Sequence, residues 1–129
     1  MTQLNHINLG VSNVPELVRF FQLGFGFHVE ETRGTGKFAV LLGENGFVLI
    51  LMHDKNVMDN TYPALFHVGF LVDSYQAVRE KHRRIVEAGF DPPAPAILER
   101  GGSKTFGFYA KPHGLMVEVS CPAACRAAE

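Results

Sequence analysis

Two histidines and one glutamate occupy strand positions from which they could bind a metal ion together. His6 lies in LNHINLGV, His67 lies in LFHVGFLV, and Glu118 lies in LMVEVS. Side chains alternate across a strand, so each of the three falls on the face opposite to its apolar neighbours. Helices pack on the apolar face of a sheet, which leaves all three residues on the other face. Two imidazoles and one carboxylate with open coordination positions suit a non-haem Fe(II) site, and also Mn(II) or Zn(II).

An internal repeat places His6 and His67 at equivalent positions in the two halves of the chain. In each half the histidine strand is followed by helix-capping residues, Ser12-Asn13 in the first and Asp73-Ser74 in the second, and then by an amphipathic stretch. These stretches run into Gly26-Phe27 in the first half and Gly89-Phe90 in the second. A third match, in the same order, pairs FAV with FGF ahead of a glycine that opens the last apolar strand. The sequence therefore predicts two halves of the same build.

The same repeat makes Ile50 the equivalent of Glu118. A pseudo-symmetric cup built from the two halves has four central positions. Three of them, occupied by His6, His67 and Glu118, carry groups that bind metals. Such a site keeps coordination positions open for water and substrate, as catalytic sites do and structural zinc sites do not.

Each half is predicted to contain a strand, a helix and three further strands. The apolar spacing predicts a first helix at about Val14 to Gln22, with Asn13 as its N-terminal cap. It predicts a second helix at about Ser74 to Ala88, which Gly89 ends. The fold class is therefore α+β, with two βαβββ modules.

The two modules are predicted to form one domain, since 129 residues is less than a typical domain length of about 150. We expect module one at about 3–54, module two at about 63–120, a tail at 121–129, and a single domain over 1–129. The tail carries both cysteines, Cys121 and Cys125, which are too few for a disulfide framework or a structural zinc site. We expect them to be two thiols on a loose end.

Composition excludes several classes of partner. The chain has 12 Lys and Arg against 13 Asp and Glu, a net charge of -1, whereas nucleic-acid binding needs a concentrated basic surface. Its longest apolar run, at 47–52, is far shorter than the ~20 residues that span a bilayer. The first 20 residues do not have the pattern of a secretory signal. We therefore expect a cytoplasmic enzyme or binding protein for small molecules, with no nucleic-acid or membrane partner.

The sequence resembles the vicinal oxygen chelate superfamily over about residues 3–120. This superfamily includes glyoxalase I, extradiol ring-cleaving dioxygenases, fosfomycin-resistance transferases and bleomycin-resistance proteins. The resemblance rests on the order and spacing of LNHINLGVSNVPELVRFF, FHVGFLVDS and KPHGLMVEVS. It implies a cup-shaped mixed sheet that binds a divalent metal, with the helices on its outer face. It also implies a homodimer in which modules of different subunits complete each cup.

The metal ligands of the superfamily match His6, His67 and Glu118. Ile50 stands where glyoxalase I has a fourth ligand, a carboxylate or glutamine, so the three-ligand set looks more like that of the dioxygenases and fosfomycin transferases. The tyrosine typical of the dioxygenases falls on Phe108 when residues are counted back from Glu118 without gaps. It falls on Tyr109 if the intervening turn is shifted by one residue.

Residues and resemblance together predict a metal-dependent enzyme that acts on a small oxygenated substrate chelated through neighbouring oxygens. The reaction is that of a lyase or isomerase, an extradiol-type dioxygenase or, less in keeping with the residues, a fosfomycin-type transferase, and the metal is Fe(II), Mn(II), Zn(II) or Ni(II). Tyr109 is the candidate acid or base. The candidate substrate contacts are Asn8, Ile50, Lys104 and Phe108. The alternative is a metal-free binding protein that resembles the bleomycin-resistance proteins.

Overall fold

The computed structural model describes residues 1–128. The first module contains β1 (His6–Val11), α1 (Val14–Phe25), β2 (His28–Arg33), β3 (Phe38–Leu42) and β4 (Val48–His53). The second contains β5 (His67–Leu71), α2 (Tyr75–Glu87), β6 (Ala96–Arg100), β7 (Ser103–Ala110) and β8 (Met116–Pro122). Short 3-10 turns occupy Glu44–Gly46, Pro112–Gly114 and Ala123–Ala128. The α+β class and the two βαβββ modules predicted from the sequence are confirmed.

Each module folds into its own four-stranded mixed sheet, and the two sheets have the same topology. Their strand orders are β1-β4-β3-β2 and β5-β8-β7-β6. The first strand of each module runs parallel to the last, and the other pairs are antiparallel. In the register Asn8 pairs with Ile50 and Gly69 pairs with Glu118. The repeat in the sequence is thus a repeat of strand pairing.

Both helices begin at the predicted caps. The Asn13 side chain accepts a hydrogen bond from the backbone N–H of Glu16, and Ser74 accepts one from Ala77. The first helix continues past its predicted end at Gln22 as far as Phe25. It stops at Gly26, whose left-handed backbone (φ 76°) lets its N–H bond the last free carbonyls.

Aromatic side chains join the two modules on the helix side of the sheets. Phe25 of α1 lies 4.5 Å from Phe70 of β5, and Phe20 lies 5.1 Å from Phe90 after α2, measured between ring centroids. The α1 and α2 helices also pack against each other. Within residues 1–128 the two sheets do not pair with one another, so β1 and β5 each leave one strand edge open.

The linker between the modules, residues 54–66, contacts the turn before β8. His113 in this turn lies 3.7 Å from carboxylate oxygens of both Asp59 in the linker and Glu16 in α1. Gly114 has φ +82°, and a Cβ atom there would lie 1.9 Å from the carbonyl oxygen of Asp59. Glycine is therefore required where the turn crosses the linker.

The end of the chain differs from the expected loose tail. The last strand runs to Pro122, and Cys121 is fully buried where it pairs with Phe106 of β7. Cys121 is therefore part of the core, because its strand position points it toward the helices. Over residues 1–128, no helix has both the length and the apolar character needed to cross a bilayer.

Candidate active site

His67 and Glu118 meet on the face of the second sheet that points away from the helices. The Nε2 atom of His67 lies 3.4 Å from Oε1 of Glu118, and their side chains are 29% and 16% exposed. The neighbours Val117 and Val119 are fully buried on the other face. Gly69 pairs with Glu118 and contributes no side chain, which leaves open space beside the two residues.

Each of these two side chains is oriented by a hydrogen bond at the atom that does not face the other. The Nδ1 atom of His67 lies 2.9 Å from the carbonyl oxygen of Leu65, and the Ser120 hydroxyl donates to Oε2 of Glu118 at 2.7 Å. A carbonyl only accepts, so Nδ1 carries the proton in the neutral ring and Nε2 presents its lone pair. The two atoms whose lone pairs remain available to a metal ion, Nε2 of His67 and Oε1 of Glu118, face each other.

His6 occupies the equivalent position in the first module. Its Nδ1 lies 2.7 Å from the side-chain oxygen of Asn5, which again leaves Nε2 exposed. Asn8 and Ile50 are paired beside it on the same face of the first sheet. Among residues 1–128, however, no three His, Cys, Asp or Glu side chains come close enough to hold a metal ion. One chain therefore brings His67 and Glu118 together but leaves His6 apart.

The structure distinguishes between the two aromatic candidates in β7. Tyr109 pairs directly with Glu118, and its ring meets the His67 ring edge-on at 6.1 Å. Phe108 points the other way, is 1% exposed and packs against the ring of His82. The expectation that Phe108 contacts substrate is therefore not met, since the pairing register turns its side chain into the core.

Lys104 is not brought to this face either. It lies in the β6–β7 hairpin, where it pairs with Glu99. The alternation of side chains puts it on the same side of β7 as Phe108, and it lies five positions before Tyr109 in the strand. That spacing corresponds to about 17 Å along a strand.

The groups that orient the site residues by hydrogen bonds were not predicted from the sequence. Ser120 follows Glu118 by two residues in the same strand and therefore shares its face, a signal that was available. Asn5 directly precedes His6. The contact from the Leu65 carbonyl had no signal in the sequence, since any residue carries the same backbone oxygen.

The model of the Glyoxalase/Bleomycin resistance protein/Dioxygenase superfamily matches residues 3–119. No curated protein is significantly similar to the chain. Among solved structures, that of a possible glyoxalase from Bacillus cereus is 36% identical, with a TM-score of 0.73. The match covers 94% of this chain and 100% of that one.

Two more distant structures have the same fold. The lactoylglutathione lyase of Agrobacterium tumefaciens is 17% identical with a TM-score of 0.65, and the match covers 94% of each chain. The genomically encoded fosfomycin resistance protein FosX of Listeria monocytogenes is 21% identical with a TM-score of 0.66, and the match covers 95% of this chain and 93% of that one. At these identities the similarity is one of fold.

Proposed function

Because the chain belongs to the Glyoxalase/Bleomycin resistance protein/Dioxygenase superfamily, we propose that it is a divalent-metal-dependent enzyme. Its substrate is a small molecule bound through two neighbouring oxygen atoms. The observation that carries this proposal is the pair formed by Nε2 of His67 and Oε1 of Glu118, 3.4 Å apart on an accessible sheet face. A binding protein without a metal has no chemical need for this pair or for the hydrogen bonds that orient it.

The spacing and chemistry of this pair fit a metal ion. Two donor atoms, each about 2.1 Å from one tetrahedral ion, are about 3.4 Å apart. Metal-binding histidines characteristically donate their other ring N–H to a carbonyl or carboxylate, as the His67 ring does to Leu65. The imidazole and carboxylate donors suit Fe(II), Mn(II), Zn(II) or Ni(II).

We propose that His6 of a second copy of the chain completes the site. The two strands that carry the histidines, β1 and β5, each lie at an open edge of their sheet. Three leucines at or near these edges are mostly exposed, Leu4 by 78% and both Leu65 and Leu71 by 77%. Exposed apolar side chains along unpaired strand edges are typical of surfaces that another chain covers. A symmetric dimer then contains two sites, each built from both subunits.

The bound metal would supply Lewis acidity, which stabilises negative charge on the substrate oxygens. His67 and Glu118 would hold the ion, and their hydrogen bonds to the Leu65 carbonyl and the Ser120 hydroxyl keep both groups oriented. Tyr109, beside His67 on the same face, is the group we assign to hold or release a proton at its hydroxyl. From the first module of the second copy, Asn8 would orient the substrate through its amide and Ile50 would exclude water.

The position of Tyr109 favours ring cleavage of the extradiol type among the candidate reactions, because a proton-transferring phenol lies next to the proposed ligands. Ile50 in place of a fourth ligand disfavours the glyoxalase I reaction. Fe(II)-loaded protein is therefore expected to consume oxygen with a catechol. Ring cleavage is refuted if the Fe(II)-loaded protein does not consume oxygen with a catechol while the Mn(II)-loaded or Ni(II)-loaded protein acts on a different substrate.

Metal analysis of the purified protein tests the proposal. We expect one divalent ion per chain, and a loss of most of it in His67→Ala and in Glu118→Ala. His28→Ala is the matched control, because His28 is an exposed histidine in β2, at the far edge of the first sheet. If the wild-type protein binds no stoichiometric metal, or if His28→Ala lowers the metal content as much as His67→Ala, the enzyme proposal fails. A metal-free protein would favour the bleomycin-resistance-like alternative.

A further inference from the structure

A cavity of about 310 Å³ lies between the two modules, beside the open edge of β5. Its wall is largely apolar, includes four phenylalanines and is contributed by both modules. The residues that matter for its chemistry are Phe25, Phe27, Phe47, Phe70, Leu71 and Lys81. Neither His67 nor Glu118 lines it, although Gly69 belongs both to its wall and to the face that carries them.

Lys81 brings a positive charge to this aromatic surrounding. Its ammonium group lies 5.7 Å from the centroid of the Phe25 ring. Within residues 1–128 the ammonium has no carboxylate within ion-pair distance. Partial burial lowers the pKa of Lys81 and the nearby Arg84 guanidinium lowers it further, while the Glu44 and Glu80 carboxylates oppose this shift. A half-buried cation among aromatic rings is stabilised when an anion pairs with it.

The acidic groups near Lys81 do not fill this role. Glu80 is engaged by Arg83, which donates two hydrogen bonds to it. Glu44 contributes to the rim of the cavity but is itself exposed to solvent, where its charge is screened. Arg84 adds a second cation on the same helix and donates a hydrogen bond to the carbonyl of Leu23. The local field therefore favours an anion at Lys81.

We propose that this cavity binds an aromatic monocarboxylate, with its ring against the phenylalanines and its carboxylate on Lys81. The volume lies at the lower limit for small-molecule sites and suits a single ring. Burial of the ring removes apolar surface from water, and the carboxylate forms a charge-assisted hydrogen bond with the ammonium group. The single ammonium group in the cavity wall matches a single carboxylate. This inference is independent of the proposed metal site.

Calorimetric titration with phenylacetate tests the proposal, on the protein as purified and after treatment with EDTA. We expect saturable binding of one phenylacetate per chain in both samples. Lys81→Met should weaken the binding at least tenfold, whereas Lys37→Met, which removes an exposed lysine outside the cavity, should leave it unchanged. Phenylacetamide has the same shape without the charge, and it should bind the wild type and Lys81→Met equally.

Three results would overturn the proposal. They are no binding at millimolar phenylacetate, equal binding by wild type and Lys81→Met, and loss of binding on EDTA treatment, which would locate the carboxylate on a metal. Lys81→Met removes a partly buried charge, so we expect it to fold, and a thermal melt checks this. Lys81→Arg keeps the charge and should retain most of the affinity. Phenylacetate binding by a protein that takes up no stoichiometric divalent metal, even after incubation with Fe(II), Mn(II), Zn(II) or Ni(II), would refute the proposed enzyme and leave this inference standing.

Discussion

Removal of the Ser120 hydroxyl is expected to weaken metal binding without unfolding the protein. Ser120 is only 5% exposed, and its hydroxyl donates a hydrogen bond to Oε2 of Glu118 at 2.7 Å. A hydrogen bond to a charged group is worth about 1.5–3 kcal/mol. Each 1.4 kcal/mol is about a factor of ten in affinity, so Ser120→Ala should weaken metal binding by about 10-fold to 100-fold. This agrees with the typical effect of changing a group that orients a metal ligand.

Competition with a fluorescent chelator measures this change directly. Ser120→Ala is compared with the wild type and with Ser103→Ala, which removes an exposed hydroxyl at the start of β7. Urea unfolding of the metal-free proteins checks that the fold is retained, since alanine keeps the backbone hydrogen bond from Val72 to the carbonyl of residue 120. A metal affinity within twofold of the wild type would refute the role given to this hydroxyl and weaken the assignment of Glu118 as a ligand.

Two further predictions concern stability. Gly114→Ala should lower the free energy of unfolding by more than Gly46→Ala, because the new Cβ meets the Asp59 carbonyl at 1.9 Å in the first case and nothing within 4 Å in the second. Both glycines have positive φ, which costs about 1–2 kcal/mol for alanine, so equal losses in urea unfolding would contradict the contact with the linker. The hydrogen bond from Arg19 lowers the pKa of Glu16 below its usual 4.5, so its contribution to stability is present above that pH and is lost as the pH falls through the lowered value. Below about pH 4.5 the free energy of unfolding should therefore fall less steeply with decreasing pH in Glu16→Gln than in the wild type. The same decline in both proteins would show that the Glu16–Arg19 pair does not contribute to stability.

The fold could be predicted from the sequence because the two-residue alternation of the strands and the apolar spacing of the helices are both strong. Alternation in the last strand correctly put Val117 and Val119 in the core and Glu118 on the opposite face. The caps at Asn13 and Ser74 gave the helix starts, since each is a short polar side chain directly before an apolar helical stretch. Parity and capping act over a few residues and therefore do not require knowledge of the tertiary structure.

Features that depend on distant parts of the chain were not predictable in this way. The choice between Phe108 and Tyr109 depended on the turn at Pro112–Gly114, where His113 adopts a left-handed conformation and sets the register of β7 on β8. The burial of Cys121 likewise depends on how far β8 continues alongside β7. A one-residue shift reverses every side chain of a strand, so counting along the sequence leaves both alternatives open.

The separation of His6 from His67 has a different origin. Their equivalence in the repeat does not determine how the two modules are arranged. That arrangement depends on the aromatic contacts between α1 and the second module, such as Phe25 with Phe70, which join the modules on the side away from the site face. The three candidate ligands could therefore be predicted from the sequence. The separation of His6 from His67 and Glu118 within one chain follows only from the packing of the two modules.

A mixed dimer tests most directly whether His6 of one chain acts with His67 and Glu118 of another. His6→Ala and His67→Ala chains carrying different affinity tags are expressed together, and the heterodimer is purified through both tags. We expect each homodimer to lose most of its metal, and the heterodimer to recover half the metal content of the wild type, because one of its two sites then has all three ligands. A heterodimer as empty as the two homodimers would contradict the shared site, as would a wild-type chain that binds metal as a monomer.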